Sequence, residues 1–411
     1  MIKSVFDNKI IWYSLGSIMF ALSSMLMLTV VGRVGGVQAV GEFGISYAVV
    51  QLLYIVGLFG VHHHQMTDYE KKYNFGSYAL VKLATSLLMI LGCVIVMVFS
   101  SGSYYRAMYT LLLTVYMLIN SAAELYQSLF FQVDRVDLSG RSLFFRTLYS
   151  LIAFIVILYI GGSIIAALVA AIILNIAATL LIAVLPARTY IKKADYKTGF
   201  KHCRSLFIAC IPLCASFFMG VLILNCVKYV IDFQGDDVIQ GFLNIIFIPV
   251  HVIFLISSFI YKPQLIKYST HIHSGDTNSF YRLLFKQMSF IAIIAIVCAV
   301  MGWIIGPLVL GLLFAVDVYI YRNEIALFIV GGGFLAISAL LYYILIIFRI
   351  QKVLFSIYLI GSIISFLLGF VLIERFDMIG AAFSLLVTYI ILTVLSFVFM
   401  QRSLSKVTLH E

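Results

Sequence analysis

Charge is what this sequence has least of. Only 11% of its residues are Asp, Glu, Lys or Arg, where a soluble domain carries about a quarter. With 63% hydrophobic residues, that shortage excludes a soluble globular fold and leaves an integral membrane protein. Cysteine is sparse too. Cys93, Cys203, Cys210, Cys214, Cys226 and Cys298 fall mostly inside apolar runs, which excludes a disulfide framework. Cys210 and Cys214 stand one helical turn apart, but no His or carboxylate joins them at ligand spacing. They read as small packing residues, and no metal is expected. Long polar loops are missing as well. None is large enough to hold a soluble catalytic domain, so the chain reads as a non-enzyme, with no cofactor implied. The opening "MIKSVFDNK" lacks a small-residue cleavage site after its apolar run, so a retained first helix is expected.

What is there is a succession of apolar runs. A spanning helix needs about 20 mostly apolar residues. Such runs lie near 10–31, 42–61, 78–99, 106–131, 143–160 and 164–185, then 205–226, 242–261, 284–303, 325–348, 353–373 and 378–400. The expected fold is all-α, about twelve transmembrane helices in two pseudo-equivalent six-helix bundles. Segment 304–324 reads as a helix end plus a re-entrant or interfacial stretch. The longest polar stretch, "PARTYIKKADYKTGFKHC", divides the chain. The expected organisation is a lobe over 1–185, a linker over 186–204, a lobe over 205–400 and a tail over 401–411. "SIIAALVAAII" and "DMIGAAFSLLVTYI" share Ile-x-Ala-Ala at the start of each half's last helix. A parallel repeat of two bundles is a common transporter plan, with the path between them.

Orientation follows from the loop cations. With an inside N-terminus, twenty-two of the 27 Lys and Arg residues fall on the inner side, including Lys71, Lys72, Lys82, Arg135, Arg141 and Arg146. Arg33, Arg106, Lys228, Arg322 and Arg375 fall outside. Both termini are therefore expected to be cytoplasmic. The net charge of +10 is a topology signal and calls for no nucleic acid.

Polar residues inside hydrocarbon are costly, and they mark either a functional site or an internal pairing. In span 4, Tyr116, Asn120, Glu124 and Gln127 or Ser128 recur every three or four residues, which is one stripe on one helix face. Glu124 reads either as a proton or cation site or as a carboxylate paired to an Arg on a neighbouring helix. Span 2 carries Tyr47, Gln51 and Tyr54 on one face. Span 8 carries Asn244, His251 and Ser258 at heptad spacing, with Pro249 set to kink the helix. Such stripes suit a sugar, whose hydroxyls need hydrogen bonds and whose ring faces stack on Tyr. They also suit plain helix–helix bonding at under about 1 kcal/mol per pair. Arg33 and Lys228 close spans 1 and 7 in corresponding places, as a cationic lining for a phosphate or as snorkelling side chains. In "GLFGVHHHQMTDYEKKYNFGSY", His62, His63 and His64 would point about 100° apart on a helix. Convergence on one metal would need an irregular turn, so an interface anchor is the stronger reading.

"HQMTDYEKKYNFGSYALVK", with Gln65, Thr67, Asp68, Tyr73, Phe75, Tyr78 and Lys82, resembles a pattern in bacterial polysaccharide flippases of the Wzx type. "VGRVGG", "GEFG", "NCVKYVID" and "GFLNIIFIP" fit the same resemblance. Those flippases belong to the multidrug/oligosaccharidyl-lipid/polysaccharide (MOP) exporter superfamily. The resemblance implies a MOP-type transporter fold in the bacterial cytoplasmic (inner) membrane. It implies a substrate of undecaprenyl-pyrophosphate-linked oligosaccharide, for an O-antigen, capsule or teichoic-type polymer. Membrane lipid, a polysaccharide polymerase and chain-length proteins would be its partners. Its cavity would be lined by Arg33, Lys228, Tyr47, Gln51, Tyr54, Asn120, Asn244 and His251. Glu124 would couple ions, and His64, Gln65, Asp68, Lys82 and Arg146 would form a cytoplasmic gate motif. Where many relatives carry an Arg before the Gln, this chain has histidine. A drug or metabolite exporter of the same superfamily is the alternative, although no acid stands in span 1 as that reading expects. A membrane glycan polymerase would need a large outer loop with Arg and His, and none is present.

Overall fold

The computed structural model describes residues 8–68, 72–99, 103–191, 200–348 and 350–408. Among these, the regular structure is entirely helical. The helices are α1 (Asn8–Leu58), α2 (Val61–Thr67), α3 (Phe75–Phe99), α4 (Tyr104–Gln132), α5 (Val136–Gly161) and α6 (Ile164–Ala178). They continue with α7 (Phe200–Gln234), α8 (Asp237–Ile246), α9 (Ile248–Tyr261), α10 (Leu265–His273), α11 (Thr277–Phe314), α12 (Arg322–Ile347) and α13 (Gln351–Thr408).

Among the described residues, ten stretches are long and apolar enough to cross a membrane. Two are too long for one crossing, Ile11–Leu58 with 48 residues and Lys352–Leu404 with 53. At about 1.5 Å per residue each exceeds twice the ~30 Å hydrocarbon core. Each is broken by one non-helical residue, Gly36 (φ 74°) in α1 and Asp377 (φ 49°) in α13. The ten stretches therefore provide twelve crossings. Gly36 takes the left-handed conformation at little cost, as glycine does. At the second break, a side chain on Gly380 would run into the backbone of Leu372.

Segment 304–324 holds no re-entrant stretch. Its first part completes α11, which runs through Pro307 to Phe314. Ala315 then turns left-handed (φ 57°) and α12 begins at Arg322. In place, α11 is wrapped in apolar surface, with Ile304, Leu308, Val309 and Leu312 exposed. Nothing in hydrocarbon rewards unpaired backbone there, so the helix continues.

The chain divides into two compact units, Met1–Phe218 and Met219–Glu411, with the boundary inside α7. In the first unit α1 packs on α5 through two glycines. A side chain on Gly140 would strike the backbone of Trp12 and Tyr13, and one on Gly16 would come 2.7 Å from Gly140 O. Small residues at such crossings let backbones touch, and dispersion then holds the pair together. Gly140→Val is expected to push the helices apart and lower the thermal midpoint of the purified chain by roughly 1–4 °C, an overpacking cost of about 1–3 kcal/mol. An unchanged midpoint would show that the crossing has slack. In the second unit α12 is central. Gly332 meets the backbone of Val250 in α9, and Gly333 meets Ala295 in α11.

Candidate functional site

The first unit gathers its buried charges around Glu124. The Tyr54 hydroxyl of α1 donates to Glu124 Oε1 at 3.1 Å. His62 Nδ1 of α2 stands 3.5 Å from Oε2. Tyr13 of α1, Lys82 of α3 and Arg146 of α5 lie within electrostatic reach of the same carboxylate. Lys82 Nζ donates to Gly57 O at 3.0 Å, beside Thr85 Oγ1 on the same oxygen. Arg146 is 1% exposed, the largest fully buried side chain of the described residues. Among the described residues no carboxylate lies within ion-pair distance of Lys82 or Arg146. The hub therefore carries two cations against one anion.

The stripe on α4 faces this interior along its length, with Tyr116, Asn120, Gln127 and Ser128 all buried. Asn175 Nδ2 of α6 donates to Asn120 Oδ1 at 3.0 Å. A π-helical turn, Thr179–Val184, follows directly; such turns are frequent at functional sites. Tyr47 stacks on Phe43 and lies close to Tyr116, and Gln51 is half-buried on α1.

The three histidines diverge. A left-handed turn at Phe59 and Gly60 ends α1 and starts the short α2. From there His62 faces Glu124, His63 stacks on Phe217 at 5.4 Å, and His64 Nε2 sits 3.3 Å from Ala209 O. A carboxylate beside His62 favours the charged ring. Burial, aided by the Lys82 cation, overrides it and pushes the imidazole down to about 3. His62 is thus neutral in the fold and takes up a proton on unfolding below pH ~6.5. A depressed histidine costs stability as pH falls through that window. The thermal midpoint should fall between pH 7 and pH 5, and His62→Gln should flatten part of that fall. Identical pH profiles for the two proteins would remove His62 from the account.

The five residues expected to form a gate motif serve different ends. Asp68 accepts from the backbone of Lys72 and Tyr73 and from the Tyr78 hydroxyl at 2.8 Å, so it organises the turn into α3. Gln65 is fully buried with neither amide atom bonded. Lys82 and Arg146 belong to the Glu124 hub. The sequence counts both among the inner-side cations and, by resemblance, in the gate motif, and its reading of Glu124 as paired to a neighbouring Arg does not say which Arg. The signal was present in α5, where Ser139, Ser142, Arg146 and Ser150 recur at helical spacing.

The second unit has one charged residue among its buried, described side chains, Lys228 at 8% exposure. Its ammonium lies 4.8 Å over the Phe247 ring, and His251 is its electrostatic neighbour. No carboxylate of the described residues is within ion-pair distance. Phe247 sits where α8 gives way to α9, one residue before Ile248 and Pro249. That break lets its ring pack 5.3 Å from His251 and under the lysine. Asn244 is buried, donates to Gln240 O, and keeps an unbonded Oδ1. Arg33, by contrast, is exposed on α1.

A polytopic helical chain with two kinked double-crossing helices and this order of spans has the fold of the MATE transporters of the MOP superfamily. Similar solved structures include an inward-facing multidrug resistance MATE family transporter of that superfamily, 9% identical, TM-score 0.73, covering 98% of this chain and 99% of that one. A mutant of the Vibrio cholerae MATE transporter VcmN is 11% identical at TM-score 0.67, covering 97% of each chain. A MOP superfamily transporter from Pyrococcus furiosus is 11% identical at TM-score 0.58, covering 98% of this chain and 97% of that one. Reversed polarity of its binding pocket suggests a different function for that protein. No family model and no curated protein matches the sequence.

Proposed function

We propose that the chain is a membrane transporter of an anionic, amphiphilic solute, and that the solute is an oligosaccharide on a polyprenyl pyrophosphate. One observation carries this reading: Lys228 is buried with no counter-charge among the described residues. An unpaired buried cation costs several kcal/mol. It is retained where an anion completes it, and phosphate is a common partner for the compact ammonium of lysine. The surplus cation around Glu124 favours the same sign of solute. Tyrosines and amides at both sites replace the water of sugar hydroxyls, each costing several kcal/mol when left unbonded in an apolar medium. By alternating access, outward movement of a negative head is helped by an inside-negative potential, at about 2.3 kcal/mol per charge per 100 mV.

Multidrug export is the second reading. It is favoured by the likeness to solved structures described as multidrug transporters and by Glu124, an acid for a cation to meet. Deleting the gene separates the two. Loss of surface glycan with lipid-linked precursor trapped inside supports the first. Unchanged glycan with raised drug sensitivity supports the second and overturns the first.

A further inference from the structure

Serine in a membrane helix ordinarily turns its hydroxyl back to the carbonyl one turn earlier. Ser128 does so on Glu124 O and Ser150 on Arg146 O, both at 2.8 Å. Ser121 of α4 and Ser139 and Ser142 of α5 do not. All three are at most 1% exposed, and their hydroxyls have no protein partner. Nor do Gln127 Nε2 or Arg146 Nε and Nη1, and Glu124 Oε2 accepts no hydrogen bond, with His62 Nδ1 at 3.5 Å.

Ser121 lies against Gly57 of α1; the atoms of Ser139, Ser142, Gln127, Arg146 and Glu124 share one seam. Helices α4 and α5 are antiparallel, joined by the short turn at 133–135. Arg146 faces Glu124, and Ser150 bonds Tyr116 beside Asn120. That register sets Ser142 at the level of Gln127 and Ser139 nearer the turn. On α5 the spacing of three and four residues keeps Ser139, Ser142 and Arg146 on one face. At about 1.5 Å per residue the run from Ser139 to Glu124 covers roughly 10 Å. Each orphaned donor or acceptor costs about 1–3 kcal/mol unless something bonds it. Mixed donors and acceptors a few ångströms apart suit water, which bonds about three buried polar groups at a time.

We propose that this seam holds a buried water column leading from the 133–135 turn to Glu124, a proton-exchange route to the carboxylate distinct from its solvent-exposed side. Glu124 side chain is 22% exposed, so the column makes it a junction reached from two directions. A proton arriving as hydronium moves to Glu124 Oε2, leaving water behind, and departs by the reverse step. The charged and titratable groups that face the junction are Tyr13 and Tyr54 of α1, His62 of α2, Lys82 of α3 and Arg146 of α5.

Silver ion tests the column without any transport, so its failure is distinct from failure of the anionic-solute reading. Ag⁺ needs continuous water to reach a buried thiol. The full chain is placed in sealed lipid vesicles with Cys93 as its sole native cysteine and Ser142→Cys added. Cys93 is 2% exposed within an apolar cluster and serves as the dry reference. Thiols that escape Ag⁺ are counted by alkylation after denaturation. The thiol introduced at position 142 should be blocked at least ten times faster than Cys93. Adding Ser139→Leu should slow that reaction at least tenfold when Ag⁺ is supplied from the side of the turn. A thiol at 142 as slow as Cys93 overturns the column, and this comparison stands alone if Ser139→Leu does not fold. Fast reaction unaffected by Ser139→Leu also overturns it, because the water would then enter elsewhere.

Discussion

Lys228→Met is expected to abolish transport of the anionic solute while leaving the chain folded. Methionine keeps about the length of the lysine stem and removes the ammonium together with its cation–π contact to the Phe247 ring. A hydrogen bond to a charged group is worth about 1.5–3 kcal/mol. Its loss from a pyrophosphate should weaken binding roughly 10- to 100-fold, at 1.4 kcal/mol per tenfold. Stability should move the other way, because a buried charge without a partner is relieved. The thermal midpoint should hold or rise, the usual trade at a site kept for function. Arg33→Met should behave differently. Arg33 is exposed on α1, so its neutralisation should leave most of the flux. Solute uptake into vesicles, read beside the melting curves, checks all three. Flux within twofold of the native chain in Lys228→Met would remove the cation from the binding site.

Arg33 and Lys228 also show how far the sequence could be read. Both close a helix near an outer loop, and pattern alone gives them one role. What separates them is tertiary packing, which buries one and exposes the other, and no local spacing carries that. The crossings were legible because a run of about 20 apolar residues has a single meaning in a membrane. For 304–324 the sequence left a re-entrant and an interfacial reading open beside a helix end; the choice is decided by surroundings, since α11 has apolar surface around it and keeps its helix to Phe314. The stripe from Tyr116 to Ser128 was legible by period. Its partner was not. Arg146 lies close enough to its helix start to be counted as a loop cation, yet the α1–α5 crossing at Gly140 draws α5 inward and buries it. His62 was hidden by its neighbours. Three like residues in a row invite one shared explanation, and the turn at Phe59–Gly60 gives each ring a different one.

The charge count at the hub makes an ordering that a simple ion pair would not. Lys82 and Arg146 against Glu124 leave one surplus positive charge. Glu124→Gln raises the surplus to two and strips the Tyr54 hydroxyl of its charged acceptor. Breaking a buried pair by removing one partner costs about 3–5 kcal/mol. Partial solvent access at Glu124 lowers that to about 2 kcal/mol, since exposed charges are screened. Arg146→Met brings the surplus to zero, because Lys82 alone balances the carboxylate. It also removes two unbonded buried N–H groups, so it should cost little or stabilise. The double variant returns to a surplus of one and should melt near the native chain, giving a coupling of about 1–2 kcal/mol in the cycle, within the range for neighbouring sites. The expected order of thermal midpoints is Glu124→Gln lowest, the double variant near native, and Arg146→Met at or above native. If Arg146→Met melts below Glu124→Gln, the guanidinium is an obligate partner of the carboxylate. The hub would then be a closed structural pair, with no spare cation to offer a solute.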